Sequence, residues 1–101
     1  MNLKNKKILV TGAAGFIGSN ICLYLQKVYP TCEIVALDSF KTNCFFSNGN
    51  PYSYGSYKNL FGFNGTLLSL DITKKEDLNY LNEKFEFDYI FHQAAISDTT
   101  V

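Results

Sequence analysis

The segment Thr11-Gly12-Ala13-Ala14-Gly15-Phe16-Ile17-Gly18 directly follows the apolar run Ile8-Leu9-Val10 and opens an amphipathic stretch. A strand that ends in a glycine-rich turn and resumes as a helix leaves few folds open, because the helix must lie back against the strand it has just left. Backbone N–H groups at a helix start have no intrahelical partners, and the helix dipole adds partial positive charge there. Such a turn can therefore take the phosphates of a dinucleotide without a cationic side chain. Gly12 suits the tight exit from the strand, Gly15 lets the backbone approach a phosphate, and Gly18 allows close packing of the helix.

The next part of that arrangement stands at the expected distance. Asp38 closes the second apolar run, 20 residues past Gly18. In a βαβ nucleotide fold the acidic residue at this place accepts hydrogen bonds from the adenosine ribose. The alternative is an empty helix entrance with Asp38 as a solvated turn residue, but three glycines would then cost entropy with no compensating ligand.

Strand and helix signals alternate along the rest of the chain. They predict strands over Lys7–Thr11, Glu33–Leu37, Thr66–Leu70 and Tyr89–His92, with helices over Phe16–Val28 and Lys74–Phe85. Ile17, Ile21, Leu25 and Val28 recur at helical spacing, and Tyr29-Pro30 supplies a stop. Thr73 and Glu76 have capping-box spacing for the second helix, with Leu78, Leu81 and Phe85 as its buried face. Short, continuously apolar strands are those of a parallel sheet covered on both sides. The expected fold is thus α/β: a Rossmann-type parallel sheet of about four strands, incomplete, with helices on both faces.

Between Ser39 and Gly65 the pattern breaks into Asn, Gly and Pro turn signals interleaved with Phe and Tyr. This is long for a crossover, so a functional loop is expected, with a helical turn near Tyr57–Leu60. It could wrap the adenosine end of a cofactor or make a subunit contact. Tyr54 and Lys58 fit Tyr-x-x-x-Lys, a spacing used to lower a tyrosine pKa for base chemistry. Here it is read as a chance match, because the pair follows strand two on the adenosine side and Gly55 weakens a helix.

Composition excludes several classes. Nine lysines balance nine acidic residues and there is no arginine, so nucleic acid is not an expected partner. Cys22, Cys32 and Cys44 lack metal-ligand spacing and have only His92 to join them, which suggests reduced thiols, a cytoplasmic location and no metal site. Glycines interrupt the first apolar run, which excludes a signal peptide, and no run is long enough for a membrane helix.

Two further segments are candidates for ligand contact. Gln93, Ala94, Ala95, Ile96 and Ser97 follow the fourth strand, where small residues leave room for a cofactor to pass over the backbone. Asp71 and Ile72 end the third and could read an adenine edge, or Asp71 could be a plain turn residue. His92 is read as a packing or hydrogen-bonding residue rather than an acid or base.

The Thr11–Asn20 segment resembles the TGxxGFxG opening of extended short-chain dehydrogenase/reductases, and Phe91-His92-Gln93-Ala94-Ala95 resembles that family's HxAA element. The continuation Ser97-Asp98-Thr99-Thr100 is similar to the ADP-heptose 6-epimerase branch. The resemblance implies transient oxidation of a sugar carbon by bound NADP, rotation of the ketone and hydride return to the opposite face. It carries cofactor contacts onto Gly12, Gly15, Phe16, Ile17, Gly18, Asp38, Ser39 and the 93–97 segment, with Lys41 approximately placed for a 2′-phosphate. The family usually has Asn where Ser39 stands. Asp38 on its own favours the unphosphorylated ribose of NAD. In this family the catalytic tyrosine, lysine and sugar-nucleotide domain come later, so residues 1–101 are expected to be the N-terminal portion of a cofactor-binding domain. That portion is expected to be inactive alone and part of a homo-oligomer whose full-length form takes an ADP-sugar. A non-catalytic dinucleotide-binding module, a 4-epimerase or dehydratase, and a protein-contact scaffold are the competing readings.

Overall fold

The computed structural model describes residues 3–39, 44–45, 51–52 and 57–93. Strand β1 (Lys7–Thr11) leads through the glycine turn into helix α1 (Phe16–Val28) and strand β2 (Glu33–Asp38). Two short strands, β3 (Cys44–Phe45) and β4 (Pro51–Tyr52), pair antiparallel. A single 3-10 turn at Tyr57–Leu60 follows, then β5 (Thr66–Ser69), α2 (Lys75–Lys84) and β6 (Tyr89–His92). The main sheet has the order β5-β2-β1-β6, and all of its pairings are parallel. This is the expected Rossmann-like α/β arrangement. The antiparallel pair was not expected, because two-residue strands leave no periodic signal.

The two faces of the sheet bury different residues of the same strands. Ile8, Val10, Ile34 and Ala36 join Cys22 and Leu25 of α1 in one cluster, while Leu9, Val35 and Leu37 join Leu81 of α2 in the other. Alternate residues of a strand point to opposite faces, so β1 and β2 must be apolar throughout. Among the described residues the outer strands pack on one face. Tyr89 and Phe91 pack with the α1 cluster while Ile90 stays 60% exposed; Leu68 packs with the α2 cluster while Leu67 is 40% exposed. The expectation of helices over both faces thus holds, with the cover most complete at the two central strands.

Each helix buries only part of the face its large apolar residues suggest: Leu25 of α1 and Leu81 of α2 are buried, and Ile21 and Phe85 pack beside them. In α1 the buried positions are Gly18, Ser19, Cys22 and Leu25, whereas Ile17 and Val28 are exposed. Close approach to the glycine turn admits only small side chains, so the helix turns its small residues inward. The capping box of α2 does not form. Lys74 occupies the N-cap with no side-chain bond, and Thr73 instead donates its hydroxyl to Asp71 Oδ1 at 2.6 Å. Thr73 N donates to the same oxygen, and Asp71 N to Asp77 Oδ2 at 2.7 Å. An Asx turn thus replaces the box. Leu78 is exposed, Leu81 is buried, and Phe85 packs beside it, stacked on Phe87 at 5.5 Å.

Candidate functional site

Parallel pairing brings the carboxyl ends of all four main strands to one edge of the sheet, and Gly12, Asp38, Asp71 and Gln93 lie at or just past those ends. Relative to β1, the chain adds β2 and β5 on one side and then reverses to place β6 on the other. A crevice opens at such a reversal, outside the strand ends. The glycine turn leaves β1 at this point. Gln93 N donates to Thr11 O at 3.1 Å, holding the end of β6 beside it. Leu70 N donates to Asp38 O at 3.1 Å, so Asp71 and Ile72 leave the sheet next to Asp38.

Gly12 has φ of 65°, a left-handed conformation that makes glycine the suitable residue for the exit from β1. A Cβ on Gly18 would collide with Gly12 O and lie 2.9 Å from Ala13 Cα, so the helix rests directly on the turn. Inside the turn the N–H groups are already committed. Ala13 N donates to Leu37 O at 3.1 Å, Ala14 N to Asp38 Oδ2 at 3.0 Å and Gly15 N to Gly12 O at 3.1 Å. The helical ladder begins with Ser19 N donating to Gly15 O at 2.9 Å. The N–H groups of Phe16, Ile17 and Gly18 precede that first bond and lie at the positive end of the dipole.

The surroundings of this helix start suit an anion. No acidic residue occupies the first turn of α1, and no side chain caps it. Phe16 and Ile17 are 77% and 61% exposed, so their backbone is approached from solvent past two apolar side chains. One carboxylate oxygen of Asp38 fastens the turn, and the group stands at the end of β2. Ser39 follows it, half-buried. Of the other sequence candidates, Asp71 is engaged with Thr73 at the start of α2, and Ile72 packs into the α2 cluster. Gln93 is exposed at the end of β6. Lys41, Ala94, Ala95, Ile96, Ser97 and the Tyr54 of the Tyr-x-x-x-Lys match lie outside the described residues.

His92 is engaged as a hydrogen-bonding residue, its Nδ1 lying 2.7 Å from Thr11 Oγ1. Thr11 Oγ1 also accepts the Gln93 N–H at 3.1 Å, tying the ends of β1 and β6 together. Cys22 and Cys32 are free thiols, and burial pushes Cys22 from its ordinary 9.0 up to about 12. No group of His, Cys, Asp or Glu suited to a metal occurs among the described residues, nor does a helix long and apolar enough to cross a membrane.

Two tertiary bonding residues carry no sequence signal, one at the glycine turn and one away from it. Asn59, in the 3-10 turn, donates Nδ2 to Ala14 O at 2.7 Å. Gln26 of α1 donates Nε2 to Gly62 O at 2.9 Å and accepts from Asn64 N at 2.8 Å. Both lie on stretches where polar residues are common, and only the tertiary structure pairs them.

The pattern of the NAD dependent epimerase/dehydratase family matches residues 8–101. An ADP-L-glycero-D-manno-heptose-6-epimerase structure from Helicobacter pylori is 47% identical with a TM-score of 0.82, covering 98% of this chain and 29% of that one. A dTDP-glucose 4,6-dehydratase from Bacillus anthracis, in complex with NAD, is 28% identical with a TM-score of 0.68, over 89% of this chain and 27% of that one. A trifunctional UDP-glucose 4,6-dehydratase, 3,5-epimerase and reductase from Arabidopsis thaliana is 39% identical over 92 residues, which are 91% of this chain and 13% of that protein. The chain therefore spans well under a third of the length of these relatives.

Proposed function

The chain belongs to the NAD dependent epimerase/dehydratase family, and we propose that it forms the dinucleotide-binding part of a sugar-nucleotide epimerase acting on an ADP-linked heptose. The observation that carries this reading is the division of N–H groups at the glycine turn. Those of Ala13, Ala14 and Gly15 hold the turn's own shape, which leaves Phe16, Ile17 and Gly18 to face a diphosphate. Asp38 would take ribose hydroxyls, and Gln93 with the 94–97 segment would border the path toward the nicotinamide. The residues present fit such a cofactor: an uncapped helix start without acidic neighbours, seated on a turn that a Cβ at Gly18 would fill.

When bound, the nicotinamide supplies reversible hydride acceptance from a sugar carbon. The residues of this chain bind and orient; the acid–base residues of the reaction would lie elsewhere in a longer polypeptide, and this chain alone would not turn over. The ADP-heptose substrate is supported by the likeness to the Helicobacter pylori enzyme; lipopolysaccharide precursor synthesis, NADP as cofactor, a cytoplasmic location and a homo-oligomer rest on the sequence reading alone. A second reading, an NAD-dependent dehydratase, is favoured by the carboxylate of Asp38, which repels a 2′-phosphate, and by the NAD-bound Bacillus anthracis neighbour.

Calorimetric titration with NADPH, NADH and ADP-ribose tests the site. All three are expected to saturate, with ADP-ribose retaining most of the affinity because the anchors lie at the adenosine diphosphate end. No saturable binding by any of them would overturn the reading. For a longer protein carrying this sequence, conversion of ADP-D-glycero- to ADP-L-glycero-D-manno-heptose supports the epimerase. A 4-keto-6-deoxy product from UDP- or dTDP-glucose supports the dehydratase instead.

A further inference from the structure

Ala14 is fully buried, so water cannot satisfy its carbonyl, and its peptide groups are held from outside the turn on both sides. Asp38 Oδ2 takes its N–H at 3.0 Å, and Asn59, 45 positions along the chain, donates to its carbonyl at 2.7 Å. That carbonyl belongs to the peptide whose N–H, on Gly15, reaches Gly12 O at 3.1 Å. Fixing its plane fixes the direction in which the backbone enters α1, and with it the aim of the next N–H groups, on Phe16 and Ile17.

We infer that Asn59 is a positioning residue for dinucleotide binding, acting through the Ala14–Gly15 peptide rather than by touching the ligand. The inference rests on the reading of the glycine turn as a diphosphate site. The turn that carries Asn59 is itself secured. Leu60, the next residue, is buried in the α1 cluster and anchors the turn; the Gln26 bonds to Gly62 and Asn64 lie farther along, on the exposed side. A donor held this firmly costs little further ordering when a ligand arrives, which is how a supporting side chain increases affinity without contact. Gln26 provides the internal control, since it secures the same segment but makes no bond to the glycine turn.

The test compares ADP-ribose and NADH affinity, by calorimetry, and thermal midpoints for the wild-type chain, Asn59→Ala, Asn59→Asp and Gln26→Ala. Asn59→Ala is expected to weaken both ligands by about tenfold, the scale of one lost hydrogen bond to a buried carbonyl. Asn59→Asp should lose more, because a carboxylate offers no donor and faces the carbonyl dipole. Gln26→Ala should lower the midpoint comparably while keeping affinity within about twofold, since its lost bonds lie on the exposed side of α1. Asn59→Ser, a milder change, keeps the comparison readable if the alanine variant unfolds, and the same direction is expected of it. Wild-type affinity in the Asn59 variants, or an equal loss in Gln26→Ala, would overturn the inference while leaving the diphosphate reading in place. Failure of the wild-type chain to bind either ligand would overturn both.

Discussion

Replacing Gly18 with alanine probes the seat of α1 on the glycine turn. The added Cβ would collide with Gly12 O and lie 2.9 Å from Ala13 Cα, both backbone atoms that no side-chain rotation can relieve. Gly12 O cannot retreat freely, because it accepts the Gly15 N–H at 3.1 Å. Overpacking of this kind costs about 3 kcal/mol at the upper end of its usual range, and alanine returns about 1 kcal/mol of helix propensity. The net loss is about 2 kcal/mol, which for a domain of this size lowers the thermal midpoint by roughly 10 °C. Lifting the helix also moves the Phe16 and Ile17 N–H groups, so ADP-ribose affinity should fall by tenfold or more, about 1.4 kcal/mol. Circular-dichroism melts and calorimetry read the two effects separately. A variant with the wild-type midpoint and affinity would refute the close-packing argument, and one that is destabilised but binds normally would refute the link to the diphosphate site.

The buried Cys22 thiol, raised to about 12, should resist a thiol reagent at pH 8 in the folded chain, and Cys32 should react before it. Below pH 9 both folded and unfolded states keep the Cys22 proton. Between 9 and about 12 only the unfolded state releases it, so denaturant-measured stability should fall as pH rises through that window and do so less in Cys22→Ala. Thr11→Val removes the hydroxyl that meets His92 Nδ1 at 2.7 Å, while Gln93 N keeps its bond to Thr11 O. A loss of about 1 kcal/mol is expected, and an unchanged midpoint would show that the Thr11 hydroxyl contributes nothing to the link between the ends of β1 and β6.

The readable part of the fold was the part set by local chemistry. The Ile8–Val10 run, the glycine turn and the Tyr29-Pro30 stop gave β1 and α1 their observed limits, because each signal acts within its own element. The face of α1 was readable only in part. Large apolar residues at helical spacing indicated Ile17, Ile21, Leu25 and Val28; Leu25 is buried and Ile21 packs beside it, but Ile17 and Val28 are exposed, because beside the glycine turn the core side of the helix takes Gly18, Ser19 and Cys22. The start of α2 depended on a competition among Asp71, Thr73 and Asp77 that spacing alone does not decide. In the site, Gly12 and Gly18 followed from position, since theirs are backbone roles at the end of β1. Asn59 did not, because its partner Ala14 is 45 positions away and no periodicity connects them.

The most direct test of the central claim is an amide NMR titration of the isotope-labelled chain with ADP-ribose. The account predicts saturable shifts largest at Phe16, Ile17 and Gly18, with a second group at Asp38. The Ala13, Ala14 and Gly15 amides should keep their slow hydrogen exchange in both states, because their bonds belong to the turn. No saturable shift, or shifts centred on α2 with the start of α1 unmoved, would contradict it.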